Sequence, residues 1–353
     1  MDLRNQSIDL ARRAARTRPA RRLADAIRED RPPPEPPPPP PPPPPDPRDL
    51  LNHMRVDNWL TNLFGAELDP IEERIAAGAT GDEAYGLFRG LDDDLWALLL
   101  SGQYSAYPAI RGLLPDVPEP HLQLSWNGAD GLGLLSQSKS FYAHVKRMHA
   151  EHHGGELSGA RILDFGCGWG RLTRFFARDV PAGALHGCDP VESILDVCRT
   201  SRVPAELHRS DFVPESLPVD GIDVAFSFSV FTHLSERAAQ TCLNAIHDAL
   251  NPDGIAVLTI RPPDYLGLDE KMHGARDELG PDPYAAMSEP QFVFAPHGVD
   301  EGHPQYQGGE MTYGDTVVSL AYVREHWTER FELVDVRATL EDMFQVAVTL
   351  RRR

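Results

Sequence analysis

Residues 162–176 read ILDFGCGWGRLTRFF. A short apolar run reaches an acid, Asp164, and glycines follow at alternate positions, 166, 168 and 170. No other stretch constrains the fold as much. The loss of three Cβ atoms lets a loop turn with positive φ and lets a ligand touch its backbone. A strand before that loop and a helix after it put it at the carboxyl edge of an open α/β sheet, where ligands bind at the switch point. The pattern therefore predicts a strand ending near Phe165 and a helix over 169–179. A ligand lies against Gly166, Gly168 and Gly170, facing the positive end of that helix.

From Arg161 onward, short apolar runs alternate with helical segments: RILDF, ALHGCD, AELHRSD, DVAFSFS and GIAVLTI, with helices over 169–179, 191–200 and 235–250. Repeated β–α units predict a mostly parallel sheet covered on both faces. Two final runs, FELVDVRA and MFQVAVTL, predict an antiparallel pair at the C-terminal end of the sheet. Residues 48–150 read as a helical N-terminal region. Leu51, Met54, Trp59, Leu60 and Leu63 recur at helical spacing before a stop at Gly65. One or two helices follow in GDEAYGLFRGLDDDLWALLL, then a loop from Pro108 to Pro120, then a helix over LLSQSKSFYAHVKRMHAEH. Such faces cannot be buried alone, so this region is expected to pack on residues 151–353. Within 151–353, the segment 262–312 breaks the β–α rhythm and reads as a lid.

The chain has 353 residues, 41% hydrophobic, with a formal charge of −19. That charge repels phosphate backbones and anionic lipid, so neither nucleic acid nor a membrane surface is the expected partner. Four cysteines without a CxxC pair indicate neither a zinc site nor a disulfide framework, and suit reduced thiols in the cytoplasm. No apolar run approaches the roughly 18 residues of a membrane span. Residues 1–47 are expected to be a disordered extension. They comprise an Arg-rich arm and a tract from Pro32 to Pro47 that favours polyproline II, either a spacer or a ligand for a partner protein's aromatic groove.

Three acids follow successive strands: Asp164, Asp189 and Asp211. A series of carboxylates suits a ligand with an ammonium, a ribose diol and an adenine amine, and repels a pyrophosphate. The dinucleotide pattern GxGxxG also fails, because Arg171 stands where its last glycine belongs. LDFGCGWGR with HGCDP, RSDF, FSVFTHL and LNPDGIAVLTI resembles the class I S-adenosylmethionine-dependent methyltransferases, closely over about 159–261. The resemblance implies the family's Rossmann-like sheet, with S-adenosylmethionine as cofactor. It places Asp164, Phe165, Gly166, Cys167, Gly168 and Gly170 at the methionine end. Asp189 and Pro190 fall at the ribose, Asp211 and Phe212 at the adenine, and Ser229 in the loop after strand four. Family position also brings Gln137 or Tyr142 to the methionine end.

An acceptor hydroxyl needs a base, and a histidine suits that task. His233, in SVFTHLSE after strand four, is the candidate; the same residue also suits a turn before the next helix. Tyr265, His273, His297 and Tyr313, in or beside the lid, are candidates for binding the acceptor. The histidines lack metal-ligand spacing, so no metal is expected. Trp126 reads as core, or as a lining of the acceptor site together with Asn127. The sequence thus points to methylation of a small molecule, foremost at the oxygen of a sugar or natural-product hydroxyl. An N-methyltransferase of a small amine, or a non-catalytic cofactor-binding scaffold, stands as the alternative.

Overall fold

The computed structural model describes residues 56–298 and 302–353. The readings for residues 1–47, Leu51 and Met54 lie outside these. Helix α1 (Val56–Ala76) does not stop at Gly65. A glycine inside a helix costs about 1 kcal/mol, and tertiary contacts along α1 outweigh it. Leu60, Leu68 and Ile71 are buried, and Asp69 accepts from the Tyr107 hydroxyl at 3.0 Å. Helices α2 (Gly81–Gly86) and α3 (Asp93–Leu100) resolve the next stretch into two. The expected loop contains α4 (Pro108–Leu113), and α5 (Pro120–Asn127) follows it. Both begin on proline, which loses no hydrogen bond there. Glu72 of α1 accepts from the amides of Ala109 and Ile110 at the start of α4. The long α6 (Gly131–His153) ends at Gly154, whose φ is 70°.

The sheet begins with β1 (Ile162–Phe165), β2 (Leu185–Asp189), α7 (Glu192–Thr200), β3 (Glu206–Arg209), β4 (Ile222–Ser227), α8 (Glu236–Ala249) and β5 (Leu250–Ile260). Then come β6 (Phe292–Pro296), β7 (Tyr306–Gln307), β8 (Glu310–Met311), β9 (Gly314–Val318), β10 (Phe331–Arg337) and β11 (Val346–Arg352). Seven strands form one sheet in the order β10-β11-β5-β4-β1-β2-β3. β1 to β5 pair in parallel, while β11 is antiparallel to both β5 and β10. This is the expected mostly parallel, Rossmann-like sheet.

Alternation assigns its two faces. Ile162, Val224, Phe226, Ile255 and Val257 join the helices of the N-terminal region in one core. Leu163, Phe165, Ala225, Ala256 and Leu258 join α8 and Trp327 in the other. The N-terminal helices do pack on the sheet, as their exposed apolar faces require.

A further expectation changes. Residues 169–179 form turns and a 3₁₀ segment, Thr173–Arg178, rather than an α-helix. Every residue of that segment is buried. Its arginines bond to backbone of neighbouring parts, Arg174 to Gly170 and Asp116, Arg178 to Leu91. The segment 262–312 carries short helices, His273–Glu278 and Pro283–Ala286, then β6, which pairs antiparallel with β9, and β7, which pairs with β8. Backbone bonds then tie β9 to the turn after β4, from Gly314 to His233 at 2.8 Å and from Thr316 to Thr232 at 2.9 Å.

Candidate functional site

The carboxyl ends of β1, β2, β4 and β5 converge on one edge. The amides of Gly166 and Cys167 both donate to Cys188 of β2, at 2.8 and 3.0 Å, which folds the glycine loop against its neighbour strand. The glycines serve different ends. Gly166 has φ 78°, and a Cβ there would lie 2.3 Å from Val230 Cγ2. A Cβ at Gly170 would lie 2.8 Å from Val203 Cγ2. At these two positions the protein itself, rather than a ligand, excludes a side chain. Only Gly168 fits the ligand reading, since a Cβ there would meet nothing nearer than Trp126 at 3.8 Å. Trp126 is 43% exposed, so it is not a core residue. It lies against the loop, on α5, and Asn127 beside it accepts from the Trp169 indole at 2.8 Å.

Asp189 is 5% exposed. Its Oδ2 accepts from the Gly168 amide at 3.0 Å and its Oδ1 from Val191 at 2.9 Å, which leaves each oxygen a further lone pair. Burial raises its pKa, against the effect of those two amides. Asp164 is buried too and accepts from Thr173 at 2.6 Å. Burial pushes it up to about 7, in spite of the Thr173 hydrogen bond and the charge of Arg171. Neither carboxylate has an ion-pair partner among the described residues. Asp211, after β3, is exposed, with Phe212 half-buried beside it. Buried acids that make no ion pair among the described residues fit a cationic ligand that also offers hydroxyl donors. The S-adenosylmethionine set is therefore chemically consistent at Asp164, Gly168, Asp189 and Asp211.

Gln137 lies near this edge. It accepts from Arg171 at 2.7 Å and donates to Asp342 at 2.7 Å. A cavity of about 20 Å³ lies beside it, lined by His144, Arg337, Asp342 and Gln345, and suits a single water. Tyr142 is elsewhere. It is wholly buried, packs on Phe175 and Phe176, and donates to Asp179 at 2.6 Å, so no ligand reaches it. Ser229 has φ 64°, uncommon outside glycine. Its amide donates to Thr259 at 2.7 Å, and Gln345 donates to its hydroxyl at 2.9 Å.

The turn after β4 carries His233 into a second cluster. His233 Nδ1 lies 2.7 Å from the Gly314 carbonyl, and Arg261 donates to Nε2 at 3.2 Å. Burial, aided by the charge of Arg261, lowers the His233 pKa to about 4. Tyr313 stacks on His233 and meets His297 edge-on. Asp315 pairs with Arg261 and with His297 Nε2, each at 2.5 Å. Burial alone would raise the Asp315 carboxyl, but the His297 hydrogen bond and the Arg261 charge hold it well below the ordinary range. Tyr265 lies under Arg261, 4.1 Å from ring centroid to guanidinium carbon. His273, by contrast, has no contact with the cluster.

Ligand atoms of His233, His297 and Asp315 lie within 4.8 Å of one another. Arg261 bonds to two of these residues, Asp315 and His233, so the carboxylate of the group already has a cation beside it. Arg261 and Asp315 are the residues that the sequence reading missed. Their one signal was position, since Arg261 directly follows β5 and Asp315 stands two residues after Tyr313.

A family described as a methyltransferase domain matches residues 162–254. Sphingolipid C9-methyltransferase 2 of Gibberella zeae is 30% identical over 110 residues, which is 30% of this chain and 21% of that protein. The chain thus spans about a fifth of the length of that curated relative. Among solved structures, an S-adenosylmethionine-dependent methyltransferase from Mesorhizobium loti aligns at 18% identity over 59% of this chain and 98% of that one, TM-score 0.37. Magnesium protoporphyrin IX methyltransferase from Synechocystis PCC 6803 aligns at 12% identity over 66% and 92%, TM-score 0.43. The match over 162–254 makes this part of the chain similar to a methyltransferase domain, and the mostly parallel strand order and the acids at the strand ends agree with that likeness.

Proposed function

We propose that the protein methylates a small-molecule acceptor at a hydroxyl oxygen, with a sugar or a natural-product ring as the acceptor class. The carrying observation is the cluster of His233, Arg261, His297, Tyr313 and Asp315. It joins the turn after β4 to the folded lid, one residue pair away from the glycine loop through Val230 and Gly166. S-adenosylmethionine, when bound, supplies an electrophilic methyl group on sulfur. Asp189 would accept from the ribose hydroxyls, Asp164 and Gly168 would receive the amino-acid end, and Asp211 would accept from the adenine amine beside Phe212. The lid and the N-terminal helices exclude water and orient the acceptor. A nitrogen acceptor would require less of a base than a hydroxyl, so the histidine–carboxylate cluster supports oxygen.

A second reading has a specific observation behind it. Leu340, Met343 and Phe344 are exposed on the connection between β10 and β11, and Phe344 meets Tyr265 edge-on at 5.9 Å. Such a lip suits an acceptor with a long apolar body, in keeping with the name of the Gibberella relative. Among the described residues no helix is long and apolar enough to cross a membrane. Calorimetric titration with S-adenosylmethionine, S-adenosylhomocysteine and NAD tests the cofactor. Micromolar binding of the first two alone supports it, and binding of NAD alone refutes it. A methyl-transfer screen over sugars, phenols, amines and lipids then tests the acceptor. Product from amines only would refute the oxygen reading, and product from lipids only would select the second.

A further inference from the structure

The two histidines of the cluster are wired in opposite senses. His233 has both ring nitrogens engaged, Nδ1 donating to the Gly314 carbonyl at 2.7 Å and Nε2 accepting from Arg261 at 3.2 Å. Its lone pair is already taken by a guanidinium. His297 instead donates from Nε2 to Asp315 at 2.5 Å, and its Nδ1 has no partner among the described residues. The His297 side chain is 26% exposed, while that of Asp315 is 3% exposed. The other Asp315 oxygen is held by Arg261 at 2.5 Å, and Lys271 Nζ stands 3.8 Å from the first. A buried carboxylate that fixes one imidazole N–H and leaves the opposite nitrogen unpartnered among the described residues is the arrangement a general base requires.

We propose that His297, oriented by Asp315, is the base that takes the acceptor's proton, and that Asp315, Arg261 and His233 are positioning residues. The inference rests on the hydroxyl-methylation reading above and moves the base from the turn after β4 to the lid. In the step it serves, the new oxygen–carbon bond forms as the sulfonium–methyl bond breaks. The electron pair of that bond stays on sulfur. The hydroxyl proton passes to His297 Nδ1 and from there to water. The base then exists only while β6 and β9 are docked, because His297 follows β6 and Asp315 lies in β9. The charged and titratable groups around His297 are Asp315, His233, Tyr313, Arg261 and Lys271.

The test uses the full chain with ¹⁵N-labelled histidine and no acceptor. Long-range proton–nitrogen spectra at neutral pH should show His297 with its proton on Nε2 and a bare Nδ1, and His233 with the opposite tautomer. Acylation by diethyl pyrocarbonate, mapped by mass spectrometry, should be faster at His297 than at His233. Asp315→Asn should mix the His297 tautomers and slow its acylation severalfold. Should that variant fail to fold, His297→Gln keeps the Asp315–Arg261 pair. It should bind S-adenosylmethionine as the unaltered chain does while losing turnover of any hydroxyl acceptor. A proton on His297 Nδ1, faster acylation of His233, or full turnover by His297→Gln overturns the assignment. Failure of the unaltered chain to bind S-adenosylmethionine overturns the methylation reading instead, and it appears in the calorimeter rather than in the imidazole spectra.

Discussion

Two buried carboxylate environments adjoin at this edge of the sheet, and they are electrostatic opposites. Asp164, at the glycine loop, is desolvated, has no ion-pair partner among the described residues, and is pushed up to about 7. Asp315, at the lid, is just as buried but holds Arg261 and His297 and is kept well below the ordinary range. One acid lacks an ion pair and the other holds one. The proposed roles, cofactor pocket and positioning cluster, rest on that difference.

The largest effect expected on this contrast comes from Arg261→Ala. It leaves the Asp315 carboxylate buried without its main counter-charge, at a cost of about 3–5 kcal/mol. Urea unfolding measures this, and a loss under about 1 kcal/mol would break the comparison. Gly166→Ala comes next. Its left-handed φ costs roughly 1–2 kcal/mol, and the clash with Val230 adds about 1–3 kcal/mol, readable as a lowered Tm. Gly168→Ala, with room for its Cβ, should keep most of that stability and lose cofactor affinity instead. Equal behaviour of the two would merge roles kept apart above.

Asp189→Ala should weaken S-adenosylmethionine by about 1.5–3 kcal/mol in calorimetry. Unchanged affinity removes Asp189 from the ribose. The effect of pH sharpens the contrast further. Burial holds His144, His186 and His233 each near 4, against about 6.5 when unfolded. Between these values the unfolded chain binds more protons, so stability is full above about pH 6.5 and falls as pH drops toward 4. Asp164 acts in the opposite sense over 7 to 4, because its folded form is the one that takes up the proton. The net slope should be about 1–2 kcal/mol per pH unit in Tm or urea series. Asp164→Asn should steepen it, and an unchanged slope would show that Asp164 titrates normally. Smallest of all, Trp126→Ala should alter stability by under about 0.5 kcal/mol, since the ring is largely exposed. A larger loss in urea would return Trp126 to the core.

The strand ends were legible because apolar runs in parallel sheets stop sharply and the residues after them are polar. Hence the glycine loop, Asp189 and the antiparallel strand near the C-terminus could be read in advance. Side-chain direction within an element was harder. Gln137 and Tyr142 are five residues apart on α6, about 140° around a helix of 3.6 residues per turn, so one reaches the cleft edge and the other the core. The 3₁₀ segment at 173–178 lies in a strongly apolar, helix-like stretch, and only the arginine bonds to distant carbonyls distinguish it. Arg261 and Asp315 are 54 positions apart, and no local period links them. Gly65 looked like a stop because the contacts of Asp69 and Glu72 lie some forty residues away in sequence.

The place of β11 carries a consequence for how the molecule is made. β11 follows β10 in the chain but lies between β10 and β5. A ribosome delivers β10 before the strand that gives it a neighbour, and the edge of β5 from Ile255 to Ile260 stays unpaired until residues 346–352 emerge. This flank of the sheet closes in one late event. In that interval the nascent chain presents an open apolar edge on which another copy can pair. The pace of translation through the lid, rather than the stability of the finished sheet, then sets how long the chain is exposed to that error.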